Sequence, residues 1–312
     1  MLIYRFGHNR YDCPKLADDM SSKFTPSEEA SILFGRSQRK CKHLRLKTMN
    51  PSCSVVVIAR NAERTISGCL YSLLNQTFKP TEIILVDNRS TDSTAKIAAT
   101  FGVKIVYEPV VGRSKARNKG VRESKGELIA FIDADAVADV NWLAWLVRRY
   151  RQGGLVGVAG NIKALNPDKL AARLLELATA NKPHYGGGNI MYERDVIMDV
   201  GMFNENLQMA EDVELAWRVL KAGKKIGFEP RAIVYHAHRE SMSELLRQQY
   251  NFGKWSTKAR KIHGMNFWKQ RALLFAVPLL LVKNLPKVRL HPILPIFLAA
   301  TSAAYGAGAL VA

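Results

Sequence analysis

Two acidic residues, Asp133 and Asp135, follow the apolar run GELIAFI and are separated only by Ala134. Carboxylate oxygens are preferred ligands of Mg²⁺ and Mn²⁺, and enzymes commonly hold such ions with few protein ligands plus substrate phosphates. This pair could therefore hold one divalent cation and contact a ribose. The alternative is a solvated acidic turn, because short acidic triplets occur in many loops.

A third carboxylate, Asp87, ends the apolar run EIILVD. It could accept a hydrogen bond from a nucleotide base or from a ribose hydroxyl. It could instead cap the helix that follows, since Asp, Asn, Ser and Thr all serve as N-caps. We expect Ser90 or Thr91 to cap that helix, which would leave Asp87 available to a ligand.

Glu211 and Asp212 open a segment in which Leu215, Val219 and Leu220 have helical spacing. Acidic residues at a helix N-terminus are stabilised by the helix dipole, so the pair could be purely structural. The functional alternative is a general base that removes a proton from an acceptor hydroxyl. A direct displacement is simpler than a covalent route, because no Ser or Cys nucleophile motif accompanies the pair.

Two histidines, His236 and His238, follow the apolar run AIVY. Residues at i and i+2 of an extended chain point to the same face. One of the two could complete a cation site with Asp135, and His236 is the stronger candidate because it directly follows the run. A lone histidine is more often structural.

Two further segments combine glycine with polar or basic residues. The segment at 112–120, GRSKARNKG, is not a Walker A loop but could hold a diphosphate through Arg113, Lys115 and Arg117. The segment at 186–195, GGGNIMYERD, has small residues that would let a ligand approach the backbone. The residues expected to contact the acceptor or the sugar are Gly187, Gly188, Asn189 and Glu211.

The elements that must position these residues alternate between strands and helices. Short apolar runs predict buried strands, and stretches with helical spacing separate them, which is typical of a mostly parallel sheet with helices on both faces. Ligands of such sheets bind outside the carboxyl ends of the strands, where Asp87, Asp133 and Asp135 fall. The predicted strands are 54–59, 82–87, 103–107, 126–135 and 232–235, and the predicted helices include 61–75 and 114–123.

The composition favours a globular protein that meets anionic partners. The 312 residues are 47% hydrophobic and carry a net charge of +19, which attracts nucleic acid, anionic lipid or phosphorylated substrates. Strand-end carboxylates would repel a nucleic acid, so we expect no nucleic-acid partner. A dinucleotide-dependent oxidoreductase is excluded, because the first predicted strand is followed by ARNAERTISG without the glycine fingerprint.

The C-terminal part of the chain is apolar. Residues 272–282 carry no charge, and a second apolar run extends to Ala312, with basic residues between the two. A spanning helix needs ~20 apolar residues, so we expect a short membrane-associated tail over 272–312 or, alternatively, a helix packed on the domain. Aromatic and basic residues make 241–271 an expected interfacial amphipathic helix, or one packed on the core.

Seven segments, taken in order, resemble family 2 glycosyltransferases of the GT-A fold over roughly residues 53–255: SVVVIARNAE, ILVDNRSTDST, GRSKARNKG, FIDADA, GGGNIMYERDV, VGMFNENLQMAEDVELAWRVLKAGKKI and AIVYHAH. The resemblance implies that Asp87 binds the base, Asp133 the ribose and Asp135 the cation, with His236 or His238 as a further ligand. It implies that Asp212 is the catalytic base. The pair Ala59-Arg60 departs from the family pattern, which puts donor preference in doubt. The further residues expected to bind the nucleotide sugar are Ala59, Arg60, Asn61, Glu63 and Ala134.

The prediction is therefore an α/β protein with a GT-A, Rossmann-like domain over 51–240, preceded by a flexible basic arm over 1–50. Its expected activity is inverting transfer of a sugar from a nucleotide diphosphate sugar, with Mg²⁺ or Mn²⁺ as cofactor. The expected acceptor is a glycan or a polyprenyl-linked molecule at an anionic membrane surface on the cytoplasmic side. The alternative is a catalytically inactive relative that only binds partners.

Overall fold

Four parallel strands form one half of the central sheet in the computed structural model of the chain. They are β1 (Cys53–Ala59), β2 (Glu82–Asp87), β3 (Lys104–Tyr107) and β4 (Leu128–Asp133). β1 lies between β2 and β4, and β3 pairs with the other side of β2. All four strands were expected from their apolar runs. β4 is shorter than predicted, because the chain turns at Ala134 and Asp135.

The other half of the sheet mixes strand directions. It contains β5 (Ala136–Ala138), β6 (Gly157–Ala164), β7 (Ile190–Glu193) and β8 (Ile226–His236). The eight strands have the order β3-β2-β1-β4-β7-β6-β8-β5. β7 runs antiparallel to both β4 and β6, and β5 runs antiparallel to β8, whereas β6 and β8 are parallel. The sheet is therefore mostly parallel, as predicted.

Helices cover both faces of the sheet, and each face has its own apolar core. Two helices begin later than the sequence predicted, at Ile66 rather than Asn61 and at Thr94 rather than beside Ser90. Side-chain hydrogen bonds join the two loops before them: the Asn61 N–H donates to Ser90 Oγ, and Glu63 accepts from the Ser93 N–H. The helices of the described region up to Lys221 are α1 (Ile66–Leu74), α2 (Thr94–Ala99), α3 (Arg113–Glu123), α4 (Trp142–Arg151), α5 (Leu170–Thr179), α6 (Arg194–Asp199) and α7 (Glu211–Lys221).

Two more helices follow the sheet, α8 (Met242–Ile262) and α9 (Leu294–Leu310). A third apolar cluster joins Leu245 of α8 to α5 and to Phe297 of α9. Trp255 of α8 packs with Trp217 in a further cluster, so α8 buries apolar residues on the protein. Among the described residues, no helix has the length and apolar character needed to cross a membrane.

The structure describes residues 51–179, 183, 185–266 and 293–312. The predicted basic arm over 1–50 and much of the predicted apolar tail lie outside these residues. Pro51–Ala312 forms one compact unit.

Candidate active site

The carboxyl ends of β2, β1 and β4 lie side by side and bring the first predicted site residues together. The register pairs Ala59 with Asp87 and Ile58 with Asp133. Asp87 is buried, and its Oδ1 accepts a hydrogen bond from the Ser90 N–H at 3.1 Å. The side chain of Ser90 does not cap α2; it accepts a hydrogen bond from the Asn61 N–H.

An acidic cluster with one histidine forms where β4 meets β8. The Nε2 atom of His236 lies 3.2 Å from Asp135 Oδ1 and 3.6 Å from Asp133 Oδ2. Ligand atoms of the three residues all lie within 4.8 Å of one another, so they could hold a metal ion. The strand pair β5–β8 creates this cluster, because it sets Ala136 opposite His236 immediately after the acidic pair.

The electrostatics of the cluster favour positive charge at its centre. Burial opposes the charged imidazolium, but hydrogen bonds to Asp133 and Asp135 outweigh burial and raise the pKa of His236 to about 10. Burial also opposes ionisation of Asp133, but the hydrogen bond from His236 and the charge of Arg117 hold its pKa well below the usual range. The Asp133 carboxylate is therefore available as an anionic ligand at neutral pH.

A buried ion pair lies behind the cluster. Arg117, which is 3% exposed, reaches Asp133 Oδ1 at 3.2 Å through Nη2 and Glu211 Oε1 at 2.5 Å through Nη1. Burial and the neighbouring charge of Asp212 raise the pKa of Glu211, although Arg117 opposes this shift. Arg117 thus links α3, β4 and the start of α7 in one interaction.

Asp212 is held at the beginning of α7 by two backbone N–H groups. Gly187 donates to Asp212 Oδ2 at 2.8 Å, and Val213 donates to Oδ1 at 2.7 Å. The residue before the helix, Ala210, has a left-handed backbone with φ of 62°. Non-glycine residues seldom adopt this conformation, and it commonly marks a functional site.

The glycine turn at 187–188 separates Asp212 from the metal-ligand cluster. A Cβ atom at Gly187 would lie 2.4 Å from Arg117 Nη2, and a Cβ atom at Gly188 would lie 2.9 Å from Asp133 Oδ2. Only glycine therefore lets this turn bond Asp212 on one side and pass Asp133 on the other. The Gly187–Gly188 dipeptide thus lies between Asp212, the predicted general base, and the predicted cation site.

Comparison with known proteins identifies the domain that carries this site. The family model described as Glycosyl transferase family 2 matches residues 54–204. Residues 54–204 belong to glycosyltransferase family 2. The matched residues include the acidic pair and the glycine turn, whereas Asp212 and His236 lie beyond them.

Curated relatives of this family 2 glycosyltransferase include Glycosyltransferase AglE of Haloferax volcanii, which is 28% identical over 65% of this chain and 72% of that protein. The pre-mycofactocin glycosyltransferase of Mycobacterium tuberculosis is 26% identical over 64% of this chain and 46% of that protein. The poly-β-1,6-N-acetyl-D-glucosamine synthase of Staphylococcus epidermidis is 23% identical over 69% and 56%, respectively. The chain spans about half the length of the last two.

Solved structures share the fold of this family 2 glycosyltransferase. Glucosyl-3-phosphoglycerate synthase from Mycobacterium tuberculosis, solved with Mn²⁺, UDP and phosphoglyceric acid, has a TM-score of 0.56 at 20% identity and covers 72% of this chain and 82% of its own. The mannosyltransferase PcManGT from Pyrobaculum calidifontis, solved with GDP-Man and Mn²⁺, has a TM-score of 0.58 at 20% identity, with coverages of 85% and 77%. These similarities confirm the predicted GT-A fold.

Some residues that were predicted to contact the ligands of this family 2 glycosyltransferase form hydrogen bonds within the protein. Asn189 was predicted to contact the acceptor or sugar, but its buried amide accepts from Trp142 Nε1 and donates to the carbonyls of Asn161 and Ala232. Glu63 accepts at Oε2 from the Ser93 N–H. Asn189 therefore ties β6 and β8 to α4, and Glu63 ties the loop after β1 to the start of α2; contact of either side chain with a ligand stays a prediction.

The remaining predicted residues surround the strand ends of the family 2 glycosyltransferase. Asn61, with φ of 52°, accepts at Oδ1 from the Thr91 N–H, so the loop after β1 is fixed to the loop after β2. Arg60 and Arg113 are exposed, Lys115 is half-buried, and Ala59 and Ala134 are buried. The ring of His238 stacks on that of His236 at a centroid distance of 5.7 Å, and His238 lies outside the metal-ligand cluster.

The sequence analysis missed one polar residue that supports a loop beside the strand ends. Buried Asn88 donates to the carbonyls of Glu108 and Val110 and accepts from the Gly112 N–H. It therefore fixes the loop that leads from β3 to Arg113. Its position directly after Asp87 at a strand end is the signal that could have indicated it.

Proposed function

We propose that this chain is an inverting, metal-dependent glycosyltransferase of the hexosyltransferase class. It would move a sugar from a nucleotide diphosphate sugar to an acceptor hydroxyl or to a lipid-linked phosphate or glycan at the cytoplasmic face of a membrane. The observation that carries the proposal is the meeting of Asp212 with the Asp133–Asp135–His236 cluster at the Gly187–Gly188 turn.

The donor would lie across the carboxyl ends of β2, β1 and β4. Asp87 is the group suited to the base, because a buried carboxylate can accept hydrogen bonds from base N–H groups. Exposed Arg60 lies in the loop after β1, exposed Arg113 begins α3 at the same edge, and both suit the diphosphate. Solved relatives of the fold were crystallised with UDP, UDP-Glc or GDP-Man, which supports a nucleotide sugar donor.

The donor set of the cluster fits a divalent cation. Two carboxylates and one imidazole within 4.8 Å of one another match the oxygen and nitrogen ligands that Mn²⁺ accepts, and Mg²⁺ is the alternative. Asp133, Asp135 and His236 would hold the ion, and Arg117 would fix Asp133 from behind. A bound ion would supply Lewis-acid stabilisation of the charge that develops on the diphosphate.

Asp212 would act as the general base. As the acceptor oxygen forms its bond to the anomeric carbon, the bond from that carbon to the diphosphate oxygen breaks and its electron pair leaves with the nucleoside diphosphate. The proton of the acceptor hydroxyl passes to Asp212. The N–H groups of Gly187 and Val213 orient the carboxylate for this transfer. Attack opposite the leaving group inverts the anomeric centre.

The acceptor is assigned from the net charge and from the apolar C-terminal region. A net charge of +19 favours phosphorylated acceptors and anionic lipid. The curated relatives include a poly-β-1,6-N-acetyl-D-glucosamine synthase, which agrees with a glycan acceptor. A polyprenyl-linked phosphate combines the anionic and apolar character that the chain would recognise.

The test is the release of nucleoside diphosphate from a panel of UDP-, GDP- and dTDP-sugars, with membrane lipid extract as the acceptor source. We expect release with one donor class, dependence on Mn²⁺ or Mg²⁺, and loss with EDTA. Asp212→Asn should lower the rate by about 10²-fold or more, since general bases contribute about 10²–10⁴. Asp195→Asn is the matched control, because Asp195 is also an acid in the first turn of a helix and its side chain is 92% exposed.

Two results would contradict the proposal. A rate for Asp212→Asn equal to that of Asp195→Asn would remove Asp212 as the base. Failure of every donor to be turned over, together with no nucleotide binding by calorimetry, would favour an inactive relative that only binds partners.

A further inference from the structure

The two C-terminal helices, α8 and α9, run side by side in the same direction. At their beginnings, Leu245 of α8 packs with Phe297 and Leu298 of α9. At their ends, Lys261 Nζ of α8 donates to the carbonyl oxygen of Ala312, just beyond α9, at 2.8 Å. The N-terminal ends of the two helices therefore lie together, and so do their C-terminal ends. A face formed by both helices extends along their common length.

Glycine allows the two helices to approach each other closely. A Cβ atom at Gly253 of α8 would coincide with the Tyr305 backbone of α9, and a Cβ atom at Gly308 of α9 would coincide with the Tyr250 backbone of α8. Small residues at a helix crossing let two backbones come into contact. The pair is therefore one packed unit whose outer surface includes residues of both helices.

The outer side of α9 is an uncharged apolar stripe. Ile296 is 61% exposed and Leu310 is 42% exposed, and Ala300, Ala303 and Ala307 between them are half-buried. These positions follow each other at three or four residues, so they share one helix face. The residues of α9 include no Asp, Glu, Lys or Arg. We call this surface the α9 stripe.

The outer side of α8 is a basic stripe. Arg247, Lys254, Lys258 and Lys261 are all exposed, and their spacing of seven, four and three residues places them on one helix face. The two helices are parallel and both are right-handed. The basic face of α8 and the α9 stripe therefore point to the same side of the helix pair. We call these four residues the α8 stripe.

We infer that the α8 and α9 stripes together form a docking face for an anionic lipid surface. An interfacial helix normally carries its basic and apolar faces itself, whereas here one helix supplies each. The α9 stripe would enter the boundary between head groups and acyl chains, and the α8 stripe would contact the phosphates. The inference rests on the proposed function, which places the acceptor at a membrane. It names the surface that would bring the active site to that acceptor.

The chemistry of the face favours lipid over the other anionic partners. The phosphates of a nucleic acid would match the α8 stripe. A nucleic acid would not, however, bind the adjacent uncharged surface formed by Ile296, Leu310 and the alanines. A lipid surface matches both, because each basic residue near an anionic leaflet gains attraction and each apolar residue leaves water. Trp255 and the buried side of α8 are already occupied by the protein core.

The experiment is co-sedimentation of the full chain with vesicles of phosphatidylcholine alone or mixed with phosphatidylglycerol. We expect binding to the mixed vesicles that weakens with salt. Lys254→Glu with Lys258→Glu should weaken it about 20-fold or more, since each basic residue near the surface contributes roughly fivefold. Ile296→Glu with Leu310→Glu should weaken it about tenfold or more, because the apolar side chains no longer enter the interface.

The controls carry equal changes on other surfaces. Lys221→Glu with Lys224→Glu changes the same charge at exposed positions, and Tyr71→Glu replaces an apolar residue that is 67% exposed on α1. The thermal melting of each variant checks that it folds. If the stripe variants bind like these controls, or the wild type does not bind mixed vesicles, the inference is wrong.

A second copy of the chain is the remaining occupant that the test distinguishes. A dimer in light scattering that becomes a monomer with Ile296→Glu and Leu310→Glu would overturn the inference in favour of a dimer interface. Release of nucleoside diphosphate without vesicles is measured on the same variants. If the wild type releases no nucleoside diphosphate from any donor, that result counts against the proposed function. If the wild type releases it but does not bind mixed vesicles, that result counts against the docking face alone.

Discussion

At the scale of residues, the site depends on buried charges that satisfy one another. Arg117 holds both Asp133 and Glu211 while remaining almost wholly buried. The sequence predicted Arg117 as a diphosphate ligand. In the structure, its guanidinium is bonded to two protein carboxylates, and its raised pKa arises from Glu211 and Asp133, which outweigh burial. It therefore fixes Asp133, one of the three residues that could hold a metal ion.

Removal of Arg117 should therefore cost stability as well as activity. We expect Arg117→Ala to lower the free energy of unfolding by about 3–5 kcal/mol, because the variant leaves the buried Glu211 carboxylate unpaired. Urea unfolding measures this loss. Adding Glu211→Gln should recover part of it, since no buried charge then lacks a partner. Glu123→Gln, which breaks an exposed ion pair with Lys104, should change stability little. Equal losses for Arg117→Ala and Glu123→Gln would contradict the assignment.

At the scale of elements, two connections bring the site together. The short strand β5 pairs with β8 and sets His236 beside the acidic pair. The turn before β7 passes between Asp212 and Asp133, and the absence of side chains at Gly187 and Gly188 makes this passage possible. Backbone geometry, rather than the length of any side chain, sets the distance between the base and the cation site.

Gly188→Ala tests this geometry. The added methyl group would lie 2.9 Å from Asp133 Oδ2, so the carboxylate must move. We expect Mn²⁺ affinity, measured by calorimetry, to fall about tenfold or more, in the range seen when the support of a metal ligand is disturbed. Gly68→Ala in α1 is the control, because its methyl group would meet only Val137 Cγ2, at 3.8 Å, and alanine favours helix. Unchanged Mn²⁺ affinity in Gly188→Ala would argue against the cluster as the metal site.

At the scale of the whole molecule, cation and nucleotide binding should be coupled to stability. Ligands that bind only the folded chain stabilise it by about 2.7 kcal/mol at a concentration of 100 times Kd. For a domain of this size, that corresponds to a rise in melting temperature of about 5–10 °C. We expect this rise with Mn²⁺ and the preferred nucleoside diphosphate together.

Asp135→Asn is the variant that tests this coupling. Asp135 is exposed, so its replacement should leave the melting temperature without ligand close to that of the wild type. The rise with Mn²⁺ and nucleotide should be lost in the variant, and EDTA should reverse it in the wild type. A rise in Asp135→Asn as large as in the wild type would exclude Asp135 as a ligand.

The sequence by itself determined the element types in the first half of the domain and the candidates for chemistry. β1 to β4 follow from apolar, β-branched runs that only a buried strand accommodates, and the acidic residues at their ends follow from the chain order. The family was also visible, because its motifs occur in order along the chain. These features are local, so each can be identified without knowing which distant residues lie nearby.

Only the tertiary structure decided which candidates meet. The sequence favoured His236 over His238, but what brings His236 to the acidic pair is the antiparallel pairing of β5 with β8, which fixes the register between residues about a hundred positions apart. Asn189 and Arg117 face protein partners that no spacing rule could reveal. The helix pair α8–α9 is likewise set by a close glycine contact across the intervening chain. Long-range register and packing depend on contacts between distant segments, and a local pattern contains no information about them.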